Sequence, residues 1–190
     1  MTTRTFIALE LNTDQQQFLS MIIRQGQQLL PDLRWVEPDG IHLTLAFLGE
    51  LNDQQLAQAI AAAQDAATLT DPFAYTLSST GIFGPPRQPR VLWMGISEPT
   101  GLLQKAHQTL KLALEQHHFT TEKRPFSPHL TLARIKAPLS QEQLQLLQQF
   151  LSRYQYSSPL YRVTHLYIMK SELTQSGAHY SCLQTCPFNR

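Results

Sequence analysis

The alternation of apolar and polar positions along this chain predicts short strands separated by amphipathic helices. Residues 3–11 (TRTFIALEL) alternate well enough for a strand. Asn12-Thr13-Asp14 then offers helix-capping side chains, and Phe18, Leu19, Ile22, Leu29 and Leu30 recur at helical spacing until Pro31. A turn, Glu37-Pro38-Asp39-Gly40, leads into an apolar, β-prone stretch over 41–50. Asn52-Asp53 caps a second helix with Leu56, Ile60 and Ala63 on one side, and Asp71-Pro72 breaks it. Strands are predicted at 73–80 and 91–96; the second, VLWMGI, is nearly all apolar and should be central and buried. Between them, GIFGPPRQPR is rich in turn formers, and its Arg87 and Arg90 read as solvent contacts.

A third helix opens behind Thr100-Gly101, with Leu102, Leu103, Ala106, Leu110, Ala113 and Leu114 facing inward. His107, His117 and His118 lie on or just past it and read as exposed helix-end histidines, which suit the C-terminal dipole. Ser140-x-x-Gln143 has the form of a capping box before a fourth helix carrying Leu144, Leu147 and Leu151. A strand over 161–170, a turn at Ser176-Gly177 and a last strand over 178–186 complete an α+β chain. With no linker rich in Pro, Gly or Ser, the expectation is one domain over 1–190, built as two lobes.

Composition narrows the function classes. Apolar content of 42% and charge of 15% argue against disorder. No apolar run approaches the ~20 residues that span a bilayer, and the opening reads as a strand and not a signal peptide, so the cytoplasm is expected. A net charge of +1 is too balanced for a protein that grips long nucleic acid by its phosphates. A nucleic-acid end or a nucleotide, held by a few placed residues, fits it better. His179, Cys182 and Cys186 have a spacing that could be read as three metal ligands; without a fourth, ordinary free thiols are the better reading.

One pattern carries chemistry. IHLTLAFLGE at 41–50 has an echo, PHLTLARI, at 128–135. The shared His-Leu-Thr-Leu-Ala occupies His42, Leu43, Thr44, Leu45 and Ala46, then His129, Leu130, Thr131, Leu132 and Ala133. Along a strand side chains alternate, so His and Thr share one face and the two leucines anchor the other. If the two faces oppose each other across a cleft, they put a proton acceptor and a proton donor on opposite walls. In-line displacement at phosphorus requires that arrangement. Imidazole suits both roles because its unperturbed pKa is ~6.5. The two hydroxyls can donate to the non-bridging oxygens whose charge grows. No metal or other cofactor is needed, and a bell-shaped pH–rate curve with both limbs near neutrality is expected. One His in an apolar strand is ordinary and Thr is a good β former. Two identical copies favour function, because a buried strand needs no repeated His-x-Thr.

These blocks resemble the paired H-x-T-x motifs of the two-histidine (2H) phosphoesterase superfamily. Within it, RTFIALEL, HLTLAFLGE, PRVLWMGI, RPFSPHLTLAR, LYIMKSEL and GAHY resemble the RNA 2′,3′-cyclic phosphodiesterases, also called 2′-5′ RNA ligases. The resemblance implies a bilobal α+β fold of the LigT type: two pseudo-symmetric lobes of antiparallel sheet, helices outside, and a central groove lined by both motifs. It implies metal-independent hydrolysis of a 2′,3′-cyclic phosphate on RNA or a nucleotide to a 2′-phosphate; a monomer with no protein partner is expected. It implies that His42 gives a proton to the departing 3′ oxygen, that His129 activates water, and that Thr44 and Thr131 hold the phosphate. The two histidines would exchange roles in a reverse, ligation-like reaction. It further implies that Phe47 stacks on a base and that Arg134 binds phosphate.

Those last two residues pose a geometric question. Both stand five after their histidine, and strict alternation puts them on the face opposite His and Thr. Either each strand bulges or ends before that point, or Phe47 is core and Arg134 points away. The same alternation turns Ala46 and Ala133 toward the histidines, where their small size would leave room for a ligand. Two rival functions use the same groove: a ribonucleotide-binding module without turnover, and a related enzyme opening a different cyclic phosphate.

Overall fold

Three of the helices begin at reciprocal caps. Asn12, Asn52 and Ser140 each accept a hydrogen bond from the backbone N–H three residues on, while Gln15, Gln55 and Gln143 accept one from the cap's own N–H. Helix α1 (Thr13–Leu29) and α2 (Asp53–Thr68) start this way. Helix α3 (Leu102–Gln116) starts instead behind Gly101, and α4 (Gln141–Arg153) follows Ser140. The structure is a computed structural model and describes residues 2–154, 158–174 and 177–189. Ser176, half of a predicted turn, lies outside the described residues.

Among the described residues, nine strands lie between these helices: β1 (Thr3–Leu9), β2 (Arg34–Trp35), β3 (Leu43–Leu51), β4 (Phe73–Phe83), β5 (Val91–Ser97), β6 (His129–Arg134), β7 (Tyr161–Val163), β8 (His165–Thr174) and β9 (Gly177–Pro187). They form two antiparallel sheets, ordered β3-β1-β8-β9 and β2-β6-β5-β4-β7. Helices α1 and α4 pack together on the second sheet, and Gln15 Nε2 of α1 donates to the buried Tyr75 hydroxyl of β4 at 2.6 Å. Helix α2 covers the first sheet and packs against α3. Each lobe is thus one sheet with a pair of helices, as the resemblance implies.

Three local expectations change. The strand predicted over 161–170 is two strands in different sheets: β7 pairs with β4, and β8 pairs with β1. The apolar pattern runs through the break at Thr164 because both pieces are buried, so periodicity cannot see it. Strand β4 extends to Phe83 into the supposed loop, because Gly81, Ile82 and Phe83 pair with Trp93, Leu92 and Val91. The inner face of α2 is alanine (Ala59, Ala62, Ala63, Ala66 and Ala67), while Leu56 and Ile60 are only half-buried. Small side chains let the helix sit close to the sheet.

The two-residue strand β2 escapes any periodicity, yet it joins the lobes. It pairs with the end of β6 and leads through Pro38–Gly40 into β3. Its anchor is Trp35, whose Nε1 donates to Leu30 O at 2.9 Å and whose ring packs against Gly26 of α1. A Cβ at residue 26 would meet the Trp35 ring at 2.0 Å, so only glycine allows this approach.

Candidate active site

The two repeated motifs are the strands that meet. β3 is the edge of the first sheet, β6 lies one strand in from the edge of the second, and the two touch where the lobes join. The face each side chain takes follows from its partner across the sheet. In β1, Ile7 and Leu9 enter the main core, whereas Phe6 and Ala8 belong to a small separate cluster with Met169 on the other face. Leu43 lies opposite Leu9 and Thr44 opposite Ala8, so Thr44 points to the face turned away from the main core.

Alternation then breaks. The register slips between Ile7 and Ala8, leaving Leu45 as an extra residue, and Ala46 falls opposite the core residue Ile7 while Phe47 falls opposite Phe6. The second motif slips at the same place. His129 and Thr131 lie opposite Gly95 and Trp93, Leu132 is the extra residue, and Ala133 and Arg134 lie opposite Leu92 and Val91. A bulge puts two consecutive side chains on one face and reverses the alternation beyond it. Each copy therefore sends its histidine, its threonine and the residue five after the histidine to the face turned away from the main core.

This answers the geometric question and corrects one expectation. Phe47 is 66% exposed, and its ring lies 6.0 Å from that of Phe6; it is not core. Arg134 is exposed on the face of His129 and Thr131. The alanines do not face the histidines: Ala133 is fully buried in the main core and Ala46 packs against it. Strict alternation fails there because the bulge precedes them.

The two imidazoles live in different surroundings. The ring of His42 stacks on Phe6, with centroids 4.4 Å apart and planes at 28°, and meets the edge of Tyr180 at 4.9 Å. Burial there lowers its pKa from 6.5 to about 4, outweighing a hydrogen bond with the Gly40 backbone that pulls the other way. His42 is therefore neutral at pH 7 in the free protein, and one limb of the expected pH–rate curve moves well below neutrality. His129 has its Nδ1 2.7 Å from the Ser127 carbonyl, and the edge of Phe83 lies against its ring at 4.7 Å. A carbonyl only accepts, so Nδ1 carries a hydrogen and donates it. In the neutral ring that leaves Nε2 unprotonated, ready to take a proton.

Phe6, Tyr180, Phe83 and Ser127 were not foreseen as site residues. The signal for Phe6 was in the sequence: Phe6-Ile7-Ala8-Leu9 is apolar at every position, which means that both faces of that strand are covered. Of the other histidines, His107 is not an exposed helix-end residue; it is half-buried and stacks on Phe126 at 4.0 Å and 4°. His117 pairs through Nε2 with Asp65 at 3.0 Å. Cys182 is exposed, Cys186 is buried on the opposite face of β9, and no three metal-ligating side chains converge among the described residues.

Residues 19–175 match the family model of the 2′-5′ RNA ligase superfamily. The chain is 31% identical over 186 residues to the RNA 2′,3′-cyclic phosphodiesterase of Thermotoga maritima, covering 97% of this chain and 95% of that one. It is 32% identical over 145 residues to the enzyme of the same name from Geobacillus stearothermophilus, covering 75% of this chain. The match spans 46% of that relative's length, about half. A crystal structure of a Thermus thermophilus protein, TT0787, has the same fold, with a TM-score of 0.78 and 26% identity over 97% of each chain.

Proposed function

The chain belongs to the 2′-5′ RNA ligase superfamily, and on that premise we propose that it hydrolyses 2′,3′-cyclic phosphates at RNA ends or on nucleotides to 2′-phosphates. One observation carries this: two His-x-Thr pairs, on strands that bulge at the same position and touch where the two sheets meet, both lie on faces turned away from the main core. On this reading those faces form the two walls of one groove.

The reaction follows from what each group can do. Nε2 of His129 takes a proton from water, and the hydroxide attacks phosphorus opposite the bond to the 3′ oxygen. That bond breaks, and the 3′ oxygen receives the proton held by His42. The product is a 2′-phosphate with a free 3′-hydroxyl. Thr44 and Thr131 donate to the non-bridging oxygens as their charge grows. Phe47, exposed beside the His42 wall, offers its ring to the terminal base, and Arg134 offers a fork to phosphate.

His42 must be protonated to act as the donor, and burial leaves it neutral in the free protein at pH 7. The substrate resolves this conflict: a phosphate anion beside the ring favours the charged imidazolium. Binding and protonation are thus coupled at His42, and the neutral form suits the acceptor role in the reverse, ligation-like direction. All proposed groups come from one chain, so a monomer acting as one bilobal unit in the cytoplasm suffices. Neither the histidine pair nor the hydroxyls call for a metal, and activity should survive a chelator.

The test is product analysis on 2′,3′-cyclic nucleotides and on RNA with a cyclic end. Release of 2′-phosphate, abolished by His129→Ala, is expected. Saturable binding without product would leave a ribonucleotide-binding module, and a fully active His129→Ala would end its assignment as the base.

A further inference from the structure

Arg34 shares the groove face with Arg134. The two are cross-strand partners in the β2–β6 pair, so their side chains leave the sheet on the same side. Trp35, the next residue, points the other way, into the core against Gly26. Arg134 in turn lies on the face of Thr131 and His129, because Val91, Trp93 and Gly95 alternate opposite them. Both arginines are exposed, and neither forms an ion pair with a carboxylate among the described residues.

Two like charges directly opposite each other destabilise a strand pair. Here they stand at cross-strand distance, with Cα atoms about 4.5–5.5 Å apart. With a net charge of only +1, the protein is not strongly basic as a whole. Basic character does continue beyond Arg134, where Lys136 and Arg90 line a small cleft. Such an arrangement is relieved by a ligand carrying more than one negative charge along its length.

We propose that Arg34, beside Arg134, binds the internucleotide phosphate that precedes the terminal cyclic phosphate, so that an RNA chain end is preferred over a mononucleotide. This rests on the proposed cyclic phosphodiesterase reading and specifies its substrate class. Arg34 lies one strand farther from His129 than Arg134 does, on the segment that links the two motif strands. A mononucleotide offers no phosphate at that distance, whereas an oligonucleotide does.

The experiment compares wild type with Arg34→Gln and Arg34→Lys on a 2′,3′-cyclic mononucleotide and on a hexaribonucleotide ending in a 2′,3′-cyclic phosphate. The hexamer-to-mononucleotide ratio of kcat/KM should fall about tenfold in Arg34→Gln, the size of one charge-assisted contact, through KM. Arg34→Lys should recover part of it. The log–log salt slope for the hexamer should shrink by roughly 0.7. An unchanged ratio, or equal losses on both substrates, would overturn the subsite. If wild type turns over neither substrate, the enzymatic reading fails separately. Binding of a hexamer with a 2′-phosphate end to wild type and Arg34→Gln then decides the subsite, and equal affinity overturns it. Matching thermal melts show that the variants are folded.

Discussion

The two walls of the groove are built from the same five residues, bulge at the same leucine, and yet hold their histidines differently. On the first wall, His42 is packed between Phe6 and Tyr180, and burial holds it neutral with a pKa of about 4. On the second, His129 is tied by Nδ1 to the Ser127 carbonyl, and an arginine replaces the exposed phenylalanine five residues on. The motif specifies where an imidazole and a hydroxyl point. Its neighbours specify what they do there. A reaction that needs one donor and one acceptor needs its histidines in different protonation states, and here the charge of the bound phosphate must bring the buried His42 to the donor's state.

The strongest way to break the comparison is to remove either ring. His42→Ala and His129→Ala should each cost roughly 10²- to 10⁴-fold in turnover, measured on a cyclic nucleotide. A large loss for one and none for the other would show that only one wall carries out proton transfer. Next come the hydroxyls: Thr44→Val and Thr131→Val should each cost at most ~2.7–4 kcal/mol of transition-state stabilisation. Comparable losses in kcat would support a phosphate held from both sides.

Smaller effects sharpen the contrast. Phe47→Ala should raise KM by an amount equivalent to roughly 1–3 kcal/mol, the worth of one stacked base. Its stability should stay within about 0.5 kcal/mol of wild type, since the ring is 66% exposed. A large drop in melting temperature would return it to the core. Finally, the kcat/KM profile should show a limb near 4 from His42 of the free enzyme, and Phe6→Ala should move it toward 6.5. The same burial has a sign in stability. The unfolded chain takes up this proton first, so the contribution of neutral His42 is whole above 6.5 and is lost as pH falls toward 4. NMR titration of the His42 ring, with and without inorganic phosphate, measures the shift directly; phosphate should raise it.

Much of the fold was legible because its signals are local. A cap three residues from its glutamine, a run of period 3.6 and a repeated His-Leu-Thr-Leu-Ala can all be read within one short window. β2 was not legible, since two residues show no period; its existence depends on Trp35 finding Gly26 and Leu30. The break at Thr164 was hidden for the opposite reason, as apolar residues continue on both sides of a change of sheet.

By itself the sequence determined which residues pair as His-x-Thr, that each pair lies on one face of a strand, and that two such strands exist. Tertiary structure decided the rest. A bulge is a mismatch of length between two strands, so Leu45 and Leu132 become extra residues only beside β1 and β5. A lowered pKa is a matter of who surrounds the ring, and Phe6 and Tyr180 reach His42 from opposite ends of the chain. Neither property belongs to any single stretch of residues, which is why neither could be read from one.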